Sequence, residues 1–282
     1  MNSSEFSIPK FLPDNLLTAV KFRTKLVVLR IYGTVYNNAS RVLECIQSLE
    51  HIKTKKFVYI VDNYSTDGTY EKIHNLTNVT VMRVKCSRGR GRQIALEMAL
   101  KESKKDDLFM FIDLDTIYTV SFCRLIDDAI PRLSENDVFI NSLSHITLNE
   151  KIPWRDLNNG EDWERLAHIY TSGYTLYTIN MENLTENQPM SSKRESRYAR
   201  GINYYYRVVG NAVDLIRGWG INSPRKLKEY FTFIKVKVRP IVWAEALLSL
   251  FFIYIYCTVR HEIYSYGDHI NRLIPVFELW SP

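Results

Sequence analysis

Two aspartates one residue apart, Asp113-Leu114-Asp115, follow directly on the apolar run LFMFI at 108–112. In an extended segment, residues i and i+2 face the same way. Both carboxylates could then meet one hard cation such as Mn²⁺ or Mg²⁺, which takes oxygen ligands and shares substrate phosphates. The use of such a cation would be to neutralise a diphosphate leaving group. The same two residues also suit a plain solvated loop.

Three further clusters could carry chemistry. Asp62 ends the apolar stretch KFVYIV and could accept hydrogen bonds from a base or a ribose, or simply close an Asx-turn. Arg88-Gly89-Arg90-Gly91-Arg92 reads as a loop before a helix, where glycines and a helix N-terminus favour an anion. Its G-x-G lacks the third glycine of a dinucleotide fingerprint. Glu161-Asp162 follows Asn158-Asn159-Gly160 and opens a helix. A carboxylate there could act as a general base, or could only compensate the helix dipole.

These residues need a scaffold, and the pattern supplies one. Short β-rich runs at 25–32, 56–61, 79–84, 108–112 and 138–140 alternate with helical stretches at 38–49, from 69, at 93–101 and at 121–133. Such alternation predicts an α/β, mainly parallel sheet flanked by helices. Ligands then bind beyond the carboxyl ends of the strands, where Asp62 and Asp113 both fall. After about residue 141 the alternation stops, with helices expected at 162–170, 198–219 and 224–233.

The chain has 282 residues, of which 46% are hydrophobic and 24% charged, so global disorder is excluded. Its four cysteines form no C-x-x-C pair, which argues against structural zinc and for a reducing compartment. Between Lys193 and Arg239 there are 12 Lys/Arg against three acidic residues, while the rest of the chain carries 25 basic against 28 acidic. That basic segment calls for an anionic partner.

Taken in order, GTVYNNASRVLECIQSL, VYIVDNYSTDGTYE, RGRGRQIALEMAL, FMFIDLDT and GEDWERLAHI resemble a family 2 glycosyltransferase of the GT-A (Rossmann-like) fold. The resemblance covers about residues 25 to 170. It implies that Thr34, Tyr36 and Asn37 line the nucleotide-sugar site and that Asp62 contacts the base. It further implies that Asp113 and Asp115 hold the divalent cation, with Asp113 also near the ribose, and that Arg88 and Arg92 lie near the diphosphate. Asp162 would be the general base, Glu161 would orient it, and Trp163 would border the sugar or acceptor. The implied reaction is inverting transfer of a hexosyl unit. Asp62-Asn63 replaces the adjacent acidic pair common in the second motif, and Gly33 stands where proline commonly precedes Thr34. Q-x-x-R-W is absent, so one sugar is expected to move without polymerisation.

The expected division is an N-terminal extension at 1–24, a catalytic domain at 25–190 and a basic, apolar helical region at 191–282. Residues 241–259 carry one charge, Glu245, and would span about 28 Å as a helix. The alternatives are a membrane helix, an interfacial helix and a helix buried against protein. Basic residues upstream would place the catalytic domain on the cytoplasmic face of a membrane, with a glycan or a lipid-linked molecule as acceptor. Two rival readings are a degenerate scaffold that binds a membrane or a nucleic acid, and a sugar-phosphate nucleotidyltransferase. Intact Asp113, Asp115 and Asp162 disfavour the first, so a nucleic acid is not expected as partner. The loop Gly33–Asn38 lacks the Gly-rich, Arg-containing character of the second.

Overall fold

The computed structural model describes residues 27–139, 142–158, 160–177 and 183–187, with single positions at 225, 248, 251, 255 and 259. The expected extension at 1–24, and the expected helices at 198–219, 224–233 and 241–259 apart from those single positions, lie outside the described residues.

Nine strands and six α-helices are described. The first half runs β1 (Leu29–Val35), α1 (Val42–Ser48), β2 (Lys56–Asp62), α2 (Thr69–Ile73), β3 (Val79–Arg83), α3 (Arg88–Lys101) and β4 (Leu108–Phe111). There follow β5 (Thr116–Tyr118), α4 (Val120–Ala129), β6 (Asp137–Phe139), β7 (Leu143–His145), α5 (Ile146–Lys151), α6 (Glu161–Thr171), β8 (Thr175–Tyr177) and β9 (Thr185–Asn187). The main sheet has the order β3-β2-β1-β4-β7-β6-β8. Its first four strands are parallel, β7 is antiparallel to both neighbours, and β8 is parallel to β6. The small pair β5-β9 is antiparallel and follows the D-x-D turn.

Strand alternation sorts the core onto two faces. Leu29, Ile31, Val35, Val58 and Ile60 pack with α1, α2 and α4. Tyr32, Tyr59, Val61 and Phe109 pack with α3 and Trp154 on the other face. Each such fully buried large apolar side chain contributes about 1.5–3 kcal/mol.

Two expectations are corrected. Strands do not stop near residue 141, because β7 and β8 follow in the main sheet and β9 pairs with β5. Their sequences, LSH, TLY and TEN, are too short and too polar to display a period. Nor is 88–92 a loop. Ser87 caps α3 by accepting a bond from the Arg90 amide at 3.0 Å, so the arginines and glycines form its first turn and a half.

The glycines of that turn face protein rather than an open cradle. The Gly89 amide donates to the Leu157 carbonyl at 2.8 Å, and a Cβ on Gly89 would lie 1.9 Å from the Arg155 carbonyl oxygen. Alanine normally gains up to ~1 kcal/mol over glycine inside a helix. Here Gly89→Ala should instead lower stability by about 1–3 kcal/mol through overpacking, as read from urea unfolding.

Candidate active site

The carboxyl ends of β1, β2, β3 and β4 lie side by side, and their loops are latched together by short polar side chains. Asn37, at φ 48°, donates its amide to Ser65 Oγ at 2.9 Å and accepts from the Thr66 amide with its own Oδ1 at 2.9 Å. The Asn38 amide donates to Thr69 Oγ1 at 2.8 Å, and its Nδ2 donates to the Leu114 carbonyl at 2.7 Å. Asp67 accepts from the amides of Ala39 at 2.9 Å and Thr69 at 3.1 Å. These bonds join the loop after β1 to the loop after β2 and to the D-x-D.

The position that departs from the usual acidic pair has its own role. Asn63 Nδ2 donates to the Cys86 carbonyl at 2.8 Å, and Asn63 Oδ1 accepts from the Cys86 amide at 3.0 Å. A carboxylate can only accept when ionised, so it could not close this double clamp between the loops after β2 and β3.

Asp113-Leu114-Asp115 is a turn rather than the extended segment expected. The Thr116 amide returns to the Asp113 carbonyl at 3.3 Å, and Tyr118 Oη accepts from the Asp113 amide at 3.1 Å. Leu114 is buried in the core and anchors the turn. Asp113 is exposed and Asp115 half-buried. Two carboxylates on one anchored turn, open to solvent, fit a hard divalent cation that keeps waters and shares substrate phosphates. Among the described residues there is no cluster of three or more His, Cys, Asp or Glu side chains that could hold a metal.

Arg92 is the centre of the site. Its side chain is 3% exposed, and it was expected near the diphosphate. It reaches Asp113 Oδ1 at 2.7 Å and Glu161 Oε1 at 3.0 Å. Its guanidinium lies 4.8 Å from the ring centroids of both Phe111 and Trp154. Arg165 lies over the same Trp154 ring at 4.6 Å, and donates to Tyr32 Oη, the Ile152 carbonyl and Asn149 Oδ1. Arg88 is more open and stands 3.5 Å from Glu161 Oε1. Burial works against its charge, but Glu161, Asp113 and Asp162 together hold its pKa above the ordinary arginine value.

α6 begins after Gly160, whose φ of 72° makes the turn. Glu161 is fully buried, and Asp162, the next residue, is exposed. Burial raises the Glu161 pKa, with Arg92 and Arg88 opposing and Asp162 adding to the rise. The fold thus brings together Arg88, Arg92 and Asp113, expected at the donor, with Glu161 and Asp162, expected at the acceptor. Trp163 is in α6, but its side chain is outside the described residues.

The remaining expected residues line the ends of β1 and β2. Asp62 is fully buried, and its carboxylate accepts from the Ser65 amide at 3.1 Å and from Arg83 Nε at 3.1 Å. That is the Asx-turn alternative, with an arginine over it. The Thr34 hydroxyl donates to the Val61 carbonyl at 3.0 Å and abuts Gly91. Tyr36 remains exposed at the sheet edge. Sequence reading missed Arg83, Trp154 and Arg165, since a basic or aromatic residue in a strand end, loop or helix carries no spacing signal.

The model of glycosyl transferase family 2 matches residues 32–185, more than half of the chain. The chain belongs to that family. Every residue of the site built above falls within the matched span. Among solved structures, this family 2 transferase is similar to the mannosyltransferase PcManGT from Pyrobaculum calidifontis in complex with GDP-Man and Mn²⁺. The two are 14% identical, the match covers 91% of this chain and 76% of that one, and the TM-score is 0.44. No curated protein matches the chain.

Two outcomes test this arrangement. Removing one partner of a buried ion pair strands the other charge, at about 3–5 kcal/mol. Arg92→Met should cost that much in urea unfolding, and adding Glu161→Leu should recover most of it. Glu164, one turn into α6, is buried against Arg155 Nε at 3.1 Å. Burial pushes its carboxyl up to about 7, with Arg155 and Arg165 opposing. A carboxyl raised above its unfolded value of ~4.3 contributes fully below that pH, and its contribution is lost as pH rises through about 7. The loss is about 4 kcal/mol. Glu164→Gln should flatten the decline of stability between about pH 4 and 7, followed by thermal unfolding across that range.

Proposed function

We propose that this family 2 glycosyltransferase moves one hexosyl unit from a nucleotide-diphosphate sugar to an acceptor hydroxyl, with inversion and without polymerisation. The observation that carries the reading is the single guanidinium of Arg92, in contact with both Asp113 and Glu161. It joins the turn suited to a donor diphosphate to the helix start suited to an acceptor.

In this mechanism Asp162 accepts the proton of the acceptor hydroxyl. The acceptor oxygen bonds to the anomeric carbon as the bond from that carbon to the diphosphate oxygen breaks, and the nucleoside diphosphate leaves. Asp113 and Asp115 would hold a Mn²⁺ or Mg²⁺ ion, which would supply charge neutralisation for the leaving diphosphate. Arg88, half-exposed beside that turn, adds positive charge for the same oxygens. Glu161 does no proton transfer itself. Its ion pairs with Arg92 and Arg88 fix the first turn of α6, and with it Asp162.

The acceptor is proposed to be a glycan or a lipid-linked molecule at the cytoplasmic face of a membrane. Support comes from the basic excess between Lys193 and Arg239 and the apolar run at 241–259. Leu248, Phe251, Ile255 and Val259 are helical and exposed. No helix of the described residues is long and apolar enough to cross a membrane.

Calorimetry with nucleoside diphosphates and Mn²⁺, paired with sugar release, tests the reading. Asp115→Asn should abolish metal-dependent nucleotide binding. Asp162→Asn should keep nucleotide binding and lower turnover by about 10²–10⁴-fold. Metal-independent binding, or turnover unchanged in Asp162→Asn, would overturn the assignment. Nucleotide binding without any transfer would favour a degenerate scaffold.

A further inference from the structure

The donor site proposed above leaves the reading of the nucleobase unassigned, and this inference rests on that site. The strand order reverses between β1 and β4, which sets the diphosphate end of a nucleotide beside the D-x-D turn. β2 lies two strands away from β4, about 10 Å at the usual interstrand spacing. A base would therefore sit over the ends of β2 and β3. Two exposed rings stand at that edge, Tyr36 after β1 (56% exposed) and Tyr64 after β2 (53%). Aromatic faces of this kind accept a stacked base.

The polar group available there is Arg83, the last residue of β3, whose side chain is 32% exposed. Its Nε donates to Asp62 Oδ2 at 3.1 Å, and its Nη2 donates to the Ser65 carbonyl at 2.8 Å. Its guanidinium is braced between the rings of Tyr64 at 5.2 Å and Tyr70 at 4.6 Å. A guanidinium carries five N–H donors, so these two bonds leave donors to spare. Asp62 neutralises it and aims it. Because Asp62 is fully covered, its own carboxylate cannot be presented to a ligand without displacing the arginine.

We propose that Arg83 is the base-reading residue of this transferase, selecting a nucleoside diphosphate whose base carries a keto oxygen at its edge, such as uracil or guanine. Adenine and cytosine present an exocyclic amine at the corresponding position. Donor then meets donor, and the pairing fails.

The test is a calorimetric panel of UDP, GDP, ADP and CDP with Mn²⁺ on the full chain and on two variants. The wild type should bind UDP or GDP at least about tenfold more tightly than ADP and CDP, the discrimination expected of one good side chain–base contact. Arg83→Lys keeps a cation beside Asp62 but loses the planar fork, and Arg83→Gln keeps a donor without the charge. In both, the keto-over-amino ratio should fall to within about threefold while ADP affinity changes little. A variant that weakens all four nucleotides equally, or that retains the wild-type ratio, overturns the proposal and leaves the transferase reading intact. A wild type with no keto preference also overturns it. If no nucleotide binds the folded wild type, the donor site itself is refuted, and this inference with it.

Discussion

One buried cation has to be neutralised for the rest of the site to hold. Arg92 is almost wholly out of water, where an uncompensated charge costs several kcal/mol. The fold meets that cost from two sides, with Asp113 at the end of β4 and Glu161 at the start of α6. The flat faces of Phe111 and Trp154 cover the guanidinium, an attraction of about 0.5–2 kcal/mol for each ring. An element from the first half of the chain and one from the second are thereby fixed to the same point. If either carboxylate moved away, the other would be left to balance the arginine alone.

The helix that carries Arg92 approaches closely because its first turn has almost no side-chain bulk at two places. Gly89 lies against the backbone of 155–157, and Gly91 lies against Thr34. That contact brings the 152–160 segment, and so α6, over the sheet edge. Trp154 is then held between two arginines, and Tyr32 Oη accepts from both Trp154 Nε1 and Arg165. The loop after β3 and the start of α6 thus share one packed layer on the same face of the sheet as α3.

Neighbouring carboxylates stand in opposite environments because burial differs across one residue. Glu161 faces inward to Arg92 and Arg88, whereas Asp162 faces solvent at the helix start. A group that balances a buried cation cannot readily exchange protons with a substrate, and an exposed one can. Asp62 follows the same logic at the other end of the site. Once inside, it is committed to Ser65 and Arg83, and the outward chemistry passes to the arginine.

Much of the first half of the fold was legible in the sequence. Apolar strands such as KFVYIV and LFMFI, turn-dense loops and helix formers follow rules that act over a few residues. The five ordered motifs pointed to the family, and Arg88, Arg92, Asp113, Glu161 and Asp162, all singled out within them, lie near one another in the fold. Their partners were not legible. An extended D-x-D, a phosphate-facing Arg92 and a base-facing Asp62 were each reasonable from spacing. In the structure each of these groups has a partner that spacing does not reveal: Asn38 for the turn, Glu161 for Arg92, and Arg83 for Asp62. Likewise the glycines of α3 could have served a phosphate or a neighbouring protein surface, and only the positions of Arg155 and Thr34 chose between them. The sequence determined which residue types stand at the sheet edge, because local periodicity and turn chemistry are written within a few residues. The tertiary structure alone decided which charges are buried, and burial is what divides a positioning ion pair from a reactive group.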